Sequence, residues 1–204
     1  MIVKKSIKRL LQYRLFLLRL QELGFDKVFS HYIAEEIGIS SEQVRKDFSQ
    51  YGIKGYKKAG YNVNASLNLL NEIFGRSKER NVIVMGMGHM GRAMVYNYDN
   101  FLKNKFKIVA GFDINPIKRK TIFNVPVYKP DELNTIVKMF EVKTAIITVP
   151  SLSAQVVCNN LIDAGITGIM SFVPIVLKVP PHVAVNNINL CNELEATSYS
   201  AKTI

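Results

Sequence analysis

Cysteine, histidine and acidic residues are all scarce in this 204-residue chain, which has two Cys, three His, and 16 Asp and Glu against 27 Lys and Arg. Cys158 and Cys191 stand far apart, with no C-x-x-C spacing and no histidine cluster beside them. That excludes a zinc knot or a disulfide framework as the organising element and points to plain thiols in a reducing compartment. No uncharged run reaches the roughly 18 apolar residues a membrane span requires. The apolar stretch behind Lys4 and Lys5 resembles a secretory leader, but Arg9, Arg14 and Arg19 interrupt it. The expectation is a cytoplasmic protein with no metal and no membrane partner. Internal repeats and low-complexity tracts are also missing. What the chain does have is a 48% hydrophobic content, enough for one large core or two smaller ones.

The positive charge is unevenly spread. Residues 1–60 carry 12 Lys and Arg against 6 Asp and Glu, a net of +6 out of the total of +11. A cationic field concentrated in this way attracts polyanions and speeds their encounter. Within the segment, Ile7, Leu10, Leu11, Leu15 and Leu18 follow one face of a first helix, which Gly24 ends. Ser30 is read as the cap of a short second helix that Gly38 closes. Ser40-Ser41-Glu42-Gln43 has the S-x-x-Q form of a capping box, so a third helix starts near Ser41. It turns Val44 and Phe48 inward and Gln43, Arg45 and Lys46 outward.

Two short helices joined by a glycine turn, the second carrying polar and cationic residues early, predict a helix-turn-helix whose second member enters the major groove of double-stranded DNA. The stretch from Gln50 to Tyr61 interleaves glycine, tyrosine and lysine and is expected to form a β-hairpin wing along the phosphates. The candidate DNA contacts are Ser41, Gln43, Arg45, Lys46, Lys54, Lys57, Lys58 and Arg9. A solvated loop after an ordinary helical hairpin is the competing reading.

After a connecting helix around Leu67–Phe74 and a polar linker, strand-like runs at Val82–Met85, Lys107–Phe112, Thr144–Val149 and Gly168–Phe172 alternate with helical stretches. The fold class is therefore α/β: an N-terminal winged helix-turn-helix over residues 1–77, a Rossmann domain with a doubly wound, mostly parallel sheet over 78–187, and a C-terminal helix over 188–204. The run ending in Gly86-Met87-Gly88-His89-Met90-Gly91 is a G-x-G-x-x-G turn in its required context, a strand before and a helix after. Gly86 allows the sharp turn, Gly88 the approach of a pyrophosphate, and Gly91 close packing of helix on strand. Asp113 ends the next strand 22 residues later, placed to accept from ribose hydroxyls and to favour NAD(H) over NADP(H). Lys118, Arg119 and Lys120 nearby could offset part of that preference. Thr148, Val149 and Pro150 close a strand at the same edge.

No group suits catalysis. His31, His89 and His182 lack evident carboxylate partners, and no proton-transfer group with a nucleophile sits at a strand end near the nicotinamide, so no catalytic residue is assigned. An NAD-dependent oxidoreductase with an accessory domain remains the alternative, as does an NAD-binding scaffold that does not itself control DNA.

Taken together, Ser41–Ser49, Gly60-Tyr61-Asn62-Val63, the glycine loop, Phe112-Asp113-Ile114-Asn115-Pro116, Ala145–Pro150 and Phe172-Val173-Pro174 make the chain resemble the Rex family of bacterial redox-sensing repressors over nearly its whole length. The resemblance implies a homodimer with exchanged C-terminal helices, in which NADH closes the subunits and releases a palindromic operator. It also implies Tyr98 and Phe172 as further cofactor contacts. The chain departs from the family pattern at several points. Leu15 stands where an arginine is expected, Asn97 where a tyrosine is, and Asn189 where an aspartate is. Val176 replaces another arginine, and Lys58 a wing glycine. The first three positions belong, by the resemblance, to a polar relay between nicotinamide and domain movement. Their replacement predicts a weakened or altered response to NADH.

Overall fold

In the computed structural model, which describes residues 5–56, 59–75, 78–97, 105–115 and 121–201, the first helix, α1, runs over Lys5–Glu22 and buries Leu10, Tyr13, Arg14 and Leu17. This is a helical stripe, but a rotated version of the predicted one: Leu15 is 61% exposed and Leu11 is 40% exposed. The rotation has a polar cause. Tyr13 and Arg14 find partners in Asp47 and Asn71, so they can be buried without losing hydrogen bonds, and they displace leucines from the inner face.

Strand β1 (Lys27–Val28) leads into α2 (Ser30–Ile37). Gly38 closes α2 in the left-handed region at φ 73°, its N–H donating to the Ala34 carbonyl, a conformation that glycine adopts without penalty. Ser30 is the first helical residue rather than the cap, which is Phe29. Ser40 does cap α3 (Ser41–Gln50), accepting from the Gln43 N–H at 3.2 Å. The other half of the expected capping box does not form, because the Gln43 side chain turns forward to Asp47 at 2.8 Å. The wing is short. Tyr56 and Gly60 exchange one antiparallel bridge, and β2 (Tyr61–Asn62) then pairs antiparallel with β1. Helix α4 (Val63–Ile73) is capped by the Asn62 side chain on the Ala65 N–H at 2.8 Å. Val3–Lys78 forms one compact unit, with Leu10, Leu17, Ile33, Val44, Phe48 and Leu70 at its core.

The second unit, Glu79–Ile204, is built on a seven-stranded sheet. Its strands are β3 (Arg80–Met85), β4 (Phe106–Phe112), β5 (Thr121–Ile122), β6 (Val125–Tyr128), β7 (Thr144–Ile147), β8 (Gly168–Ser171) and β9 (Ala184–Asn187). The order is β5-β6-β4-β3-β7-β8-β9, and all neighbours are parallel except β5 with β6. Chain order therefore reverses across β3, the switch point of a doubly wound sheet. Apolar runs are continuous because both faces are covered. Along β3, Val82 and Val84 face the cluster that holds Val95 of α5 (His89–Tyr96). Ile83 and Met85 face the cluster of α6 (Leu133–Met139) and α7 (Ser151–Asp163). The β5–β6 hairpin and β9 were absent from the sequence expectation. The final helix, α8 (Leu190–Ala201), buries none of its residues within this chain. Among the described residues no helix is long and apolar enough to cross a membrane.

Candidate nucleotide cleft and nucleic-acid interface

A cleft of about 530 Å³ opens at the C-terminal ends of β3, β4 and β7, bordered by Gly86, Gly88, Asp113, Thr148, Val149 and Pro150. This is the edge where a doubly wound sheet places ligands. The three glycines differ in what requires them. A Cβ on Gly86, whose φ is +94°, would meet the Thr148 carbonyl oxygen at 2.9 Å, and one on Gly91 would drive into the Gly86 carbonyl oxygen. At Gly88 a Cβ would meet nothing within 4 Å. The first two glycines are thus required by the fold, while the third leaves the turn's backbone open to a ligand that must come close.

Asp113 is tied to this turn. Its Oδ2 accepts the Met87 N–H at 2.8 Å and its Oδ1 accepts the Asn115 N–H at 2.9 Å. A carboxylate has about four acceptor positions, so two remain for ribose hydroxyls. Thr148 is similarly committed: its N–H donates to the Met85 carbonyl at 2.9 Å, and its hydroxyl lies 3.0 Å from the Met85 oxygen and 2.7 Å from that of Gly86. Thr148 therefore fixes the turn, and Val149 and Pro150 supply apolar wall.

Four sequence-derived contacts are placed differently. The Met87 side chain is 1% exposed and packs over Gly111, while its N–H is taken by Asp113, so it supports the loop from beneath. His89 is exposed on the first turn of α5 and Met90 is half-buried there; neither borders the cleft. Phe172 packs against the opposite sheet face with Val84 and Val95, because at the end of β8 its side chain takes the face away from α7. Tyr98, like Lys118, Arg119 and Lys120, lies outside the described residues. The sequence reading missed Arg92, whose Nε donates to the Met87 carbonyl at 3.0 Å. It also missed Ser153, Val157 and Asn160, which border the cleft from one face of α7. Their i, i+4, i+7 spacing was the available signal. Among the described residues bordering the cleft, Asp113 is the one with an acidic or basic side chain.

In the N-terminal unit, Arg45 and Lys46 are exposed on α3 and Ser41 is half-buried at its start. A groove of about 480 Å³ separates Arg45 and Ser49 from the exposed Lys54 and Tyr56 of the wing. Arg45 Nη1 donates to Ser30 Oγ at 3.2 Å. The phenol of Tyr61 at the same groove is pushed upward by burial, against the opposing charge of Arg45. Lys57 and Lys58 lie outside the described residues.

Two of the expected DNA contacts, Arg9 and Gln43, are half-buried and paired within the unit. Arg9 forms a bidentate pair with Asp47, Nε to Oδ2 at 2.6 Å and Nη2 to Oδ1 at 2.8 Å, and Gln43 donates to the same carboxylate. Burial alone would raise the Asp47 carboxyl, but hydrogen bonds from Arg9, Tyr13 and Gln43 and the charge of Arg9 outweigh it and hold the group below its ordinary value. The buried Tyr13 phenol is pushed upward by desolvation and by its bond to Asp47.

The chain matches the family models "CoA binding domain" over residues 77–175 and "Putative DNA-binding protein N-terminus" over residues 2–49. The redox-sensing transcriptional repressor Rex of Lactobacillus acidophilus is 38% identical over 199 residues, covering 97% of this chain and 94% of its own length. The chain belongs to the Rex family. The Rex repressor of Listeria welshimeri is 36% identical over 200 residues, covering 97% of this chain and 92% of its own. Among solved structures, RSP, a Rex-family repressor, in complex with β-NAD+ and operator DNA matches with a TM-score of 0.90 at 32% identity, over 100% of this chain and 94% of that one. RSP in complex with β-NADH matches at 0.86 and 31% identity, over 98% and 95%. As in those Rex-family structures, the match runs through both units of the chain.

Proposed function

We infer that this Rex-family chain is a transcriptional repressor that reads a palindromic operator as a homodimer and senses the NADH/NAD+ balance through its Rossmann unit. The observation that carries the reading is the union, in one chain, of a helix-turn-helix with exposed cations on α3 and a glycine turn backed by Asp113. Arg45 and Lys46 reach base edges or adjacent phosphates, Ser41 sits at the start of the reading helix, and Lys54, with Lys57 and Lys58, follows the backbone. Gly86, Gly88 and Gly91 shape the pyrophosphate seat, and Asp113 takes the adenosine ribose. We place the protein in the cytoplasm, with the DNA it reads. A binding role fits the cleft better than an oxidoreductase role, because the one carboxylate among its described residues already holds two backbone amides.

Fluorescence anisotropy on labelled palindromic duplexes, at fixed salt and with NAD+ or NADH added, tests the reading. Saturable, sequence-dependent binding by a dimer that one dinucleotide alters supports it. Binding that ignores both sequence and dinucleotide overturns it.

A muted response to NADH is a second reading with its own support. Leu15 is exposed, the Asn97 amide donates to the Ala93 carbonyl of its own helix at 2.8 Å, and Asn189 accepts the N–H groups of Cys191 and Asn192 at the start of α8. Both asparagines serve as helix-end caps, and none of the three positions carries the charge a redox relay would use. Full release of DNA by micromolar NADH would refute the muted response and leave the repressor reading intact.

A further inference from the structure

Asp47 is 1% exposed and is the one buried acid among the described residues. Its carboxylate is saturated by Arg9 Nε at 2.6 Å and Nη2 at 2.8 Å, Tyr13 Oη at 2.7 Å and Gln43 Nε2 at 2.8 Å. Arg9 and Tyr13 belong to α1, while Gln43 and Asp47 belong to α3. We propose that Asp47 is a positioning residue for DNA reading: clamped to α1, it fixes the rotation of α3 about its own axis and so the direction in which Arg45 and Lys46 point. This rests on the DNA-binding function proposed above.

Packed leucine at such a site commonly stabilises as well as a buried ion pair does, so stability alone does not call for the carboxylate. Apolar contacts, however, resist rotation weakly. The neighbouring Phe48 meets Tyr13 edge-on at 5.1 Å and Tyr61 edge-on at 4.8 Å, contacts that tolerate a modest roll of the helix. A planar guanidinium meeting both carboxylate oxygens does not, because its two bonds define a plane as well as a distance. Gln43 fixes the carboxylate from within α3 itself. A roll of about 20° moves the outer parts of side chains, roughly 5–6 Å from the helix axis, by about 2 Å, beyond the tolerance of a hydrogen bond to a base edge. Arg45 and Lys46 immediately precede Asp47, so no intervening turn can absorb the error.

The test uses the full chain and a duplex that the wild-type protein selects from a randomised palindromic library, beside a scrambled duplex of equal length. Asp47→Asn, Arg9→Lys and Tyr13→Phe are compared with wild type for affinity to both duplexes, salt slope and thermal midpoint. The expected result is a fall of about tenfold or more in the selected-to-scrambled ratio for Asp47→Asn, with smaller falls for Arg9→Lys and Tyr13→Phe. Affinity for the scrambled duplex and its salt slope should stay at wild-type values. If Asp47→Asn does not fold, the other two variants decide by the same ratio. An unchanged ratio in the folded variants overturns the proposal, as does a parallel fall on both duplexes. If wild type selects no sequence at all, the DNA-binding reading fails first and this inference with it.

Discussion

The two units solve opposite problems with opposite materials. The N-terminal unit must hold mobile cationic side chains in register, and it does so with side chains: Arg9, Tyr13 and Gln43 converge on Asp47, so a buried polar knot supports an exposed polar surface. The α/β unit must keep a backbone bare, and it does so with glycine: Gly86 and Gly91 leave no room for a Cβ, while the Thr148 hydroxyl and the Asp113 carboxylate hold the turn from outside it. Sensitivity to mutation should divide along the same line. The cleft should fail when atoms are added, and the helical unit when charges are removed.

The sharpest way to break the contrast is Gly91→Ala. Its Cβ would occupy the space of the Gly86 carbonyl, and overpacking of this kind costs about 1–3 kcal/mol. Fluorescence titration with NADH should show affinity lowered by more than about tenfold. Normal affinity at an unchanged melting temperature would show that the turn is softer than described.

Next in size are Arg45→Ala and Lys46→Ala, each expected to cost about 1–3 kcal/mol on the selected duplex and to relax preference at the base pair it contacts. The melting temperature should barely move, since both side chains are exposed. Acid titration offers an intermediate test. The Asp47 carboxyl is depressed in the folded chain, so its contribution is present above the unfolded value of about 4 and is lost as pH falls toward and through the lower folded value. Asp47→Asn should therefore flatten the acid limb of a stability curve, and an unaltered limb would show that the knot contributes nothing there. Asp113→Asn should narrow the preference for NADH over NADPH by several-fold, measured as a ratio of dissociation constants. The smallest effect belongs to Lys54→Ala, which should weaken all duplexes alike and reduce the salt slope by about one.

Which features could be read from the residues follows the same division. The glycine turn and its flanking strands were legible because they depend on local requirements: a positive φ at Gly86, a close approach at Gly91, and apolar runs long enough to be buried on both faces. The Ser40 cap and the Gly38 stop were legible for the same reason. The pairing of Arg9 and Gln43 with Asp47 was not legible because the partner is not local to both: Asp47 lies 38 residues from Arg9, and nothing near Arg9 distinguishes it from the other cations of α1. The same long-range bonds rotated α1, burying Tyr13 and Arg14 where leucines were expected. Strand β5 escaped notice because it is two residues long, and β6 and β9 because proline or asparagine dilutes their apolar signal.

The seating of Met87 over Gly111 carries a consequence for descent. A methyl group at 111 would come within 2.5 Å of the Met87 sulfur, and that thioether is enclosed with little room to swing aside. Alanine at 111 requires the Met87 side chain to shift or residue 87 to shorten, so substitutions at the two sites should tend to be inherited as a couple, and a library randomised at both should favour survivors whose combined bulk is nearly constant.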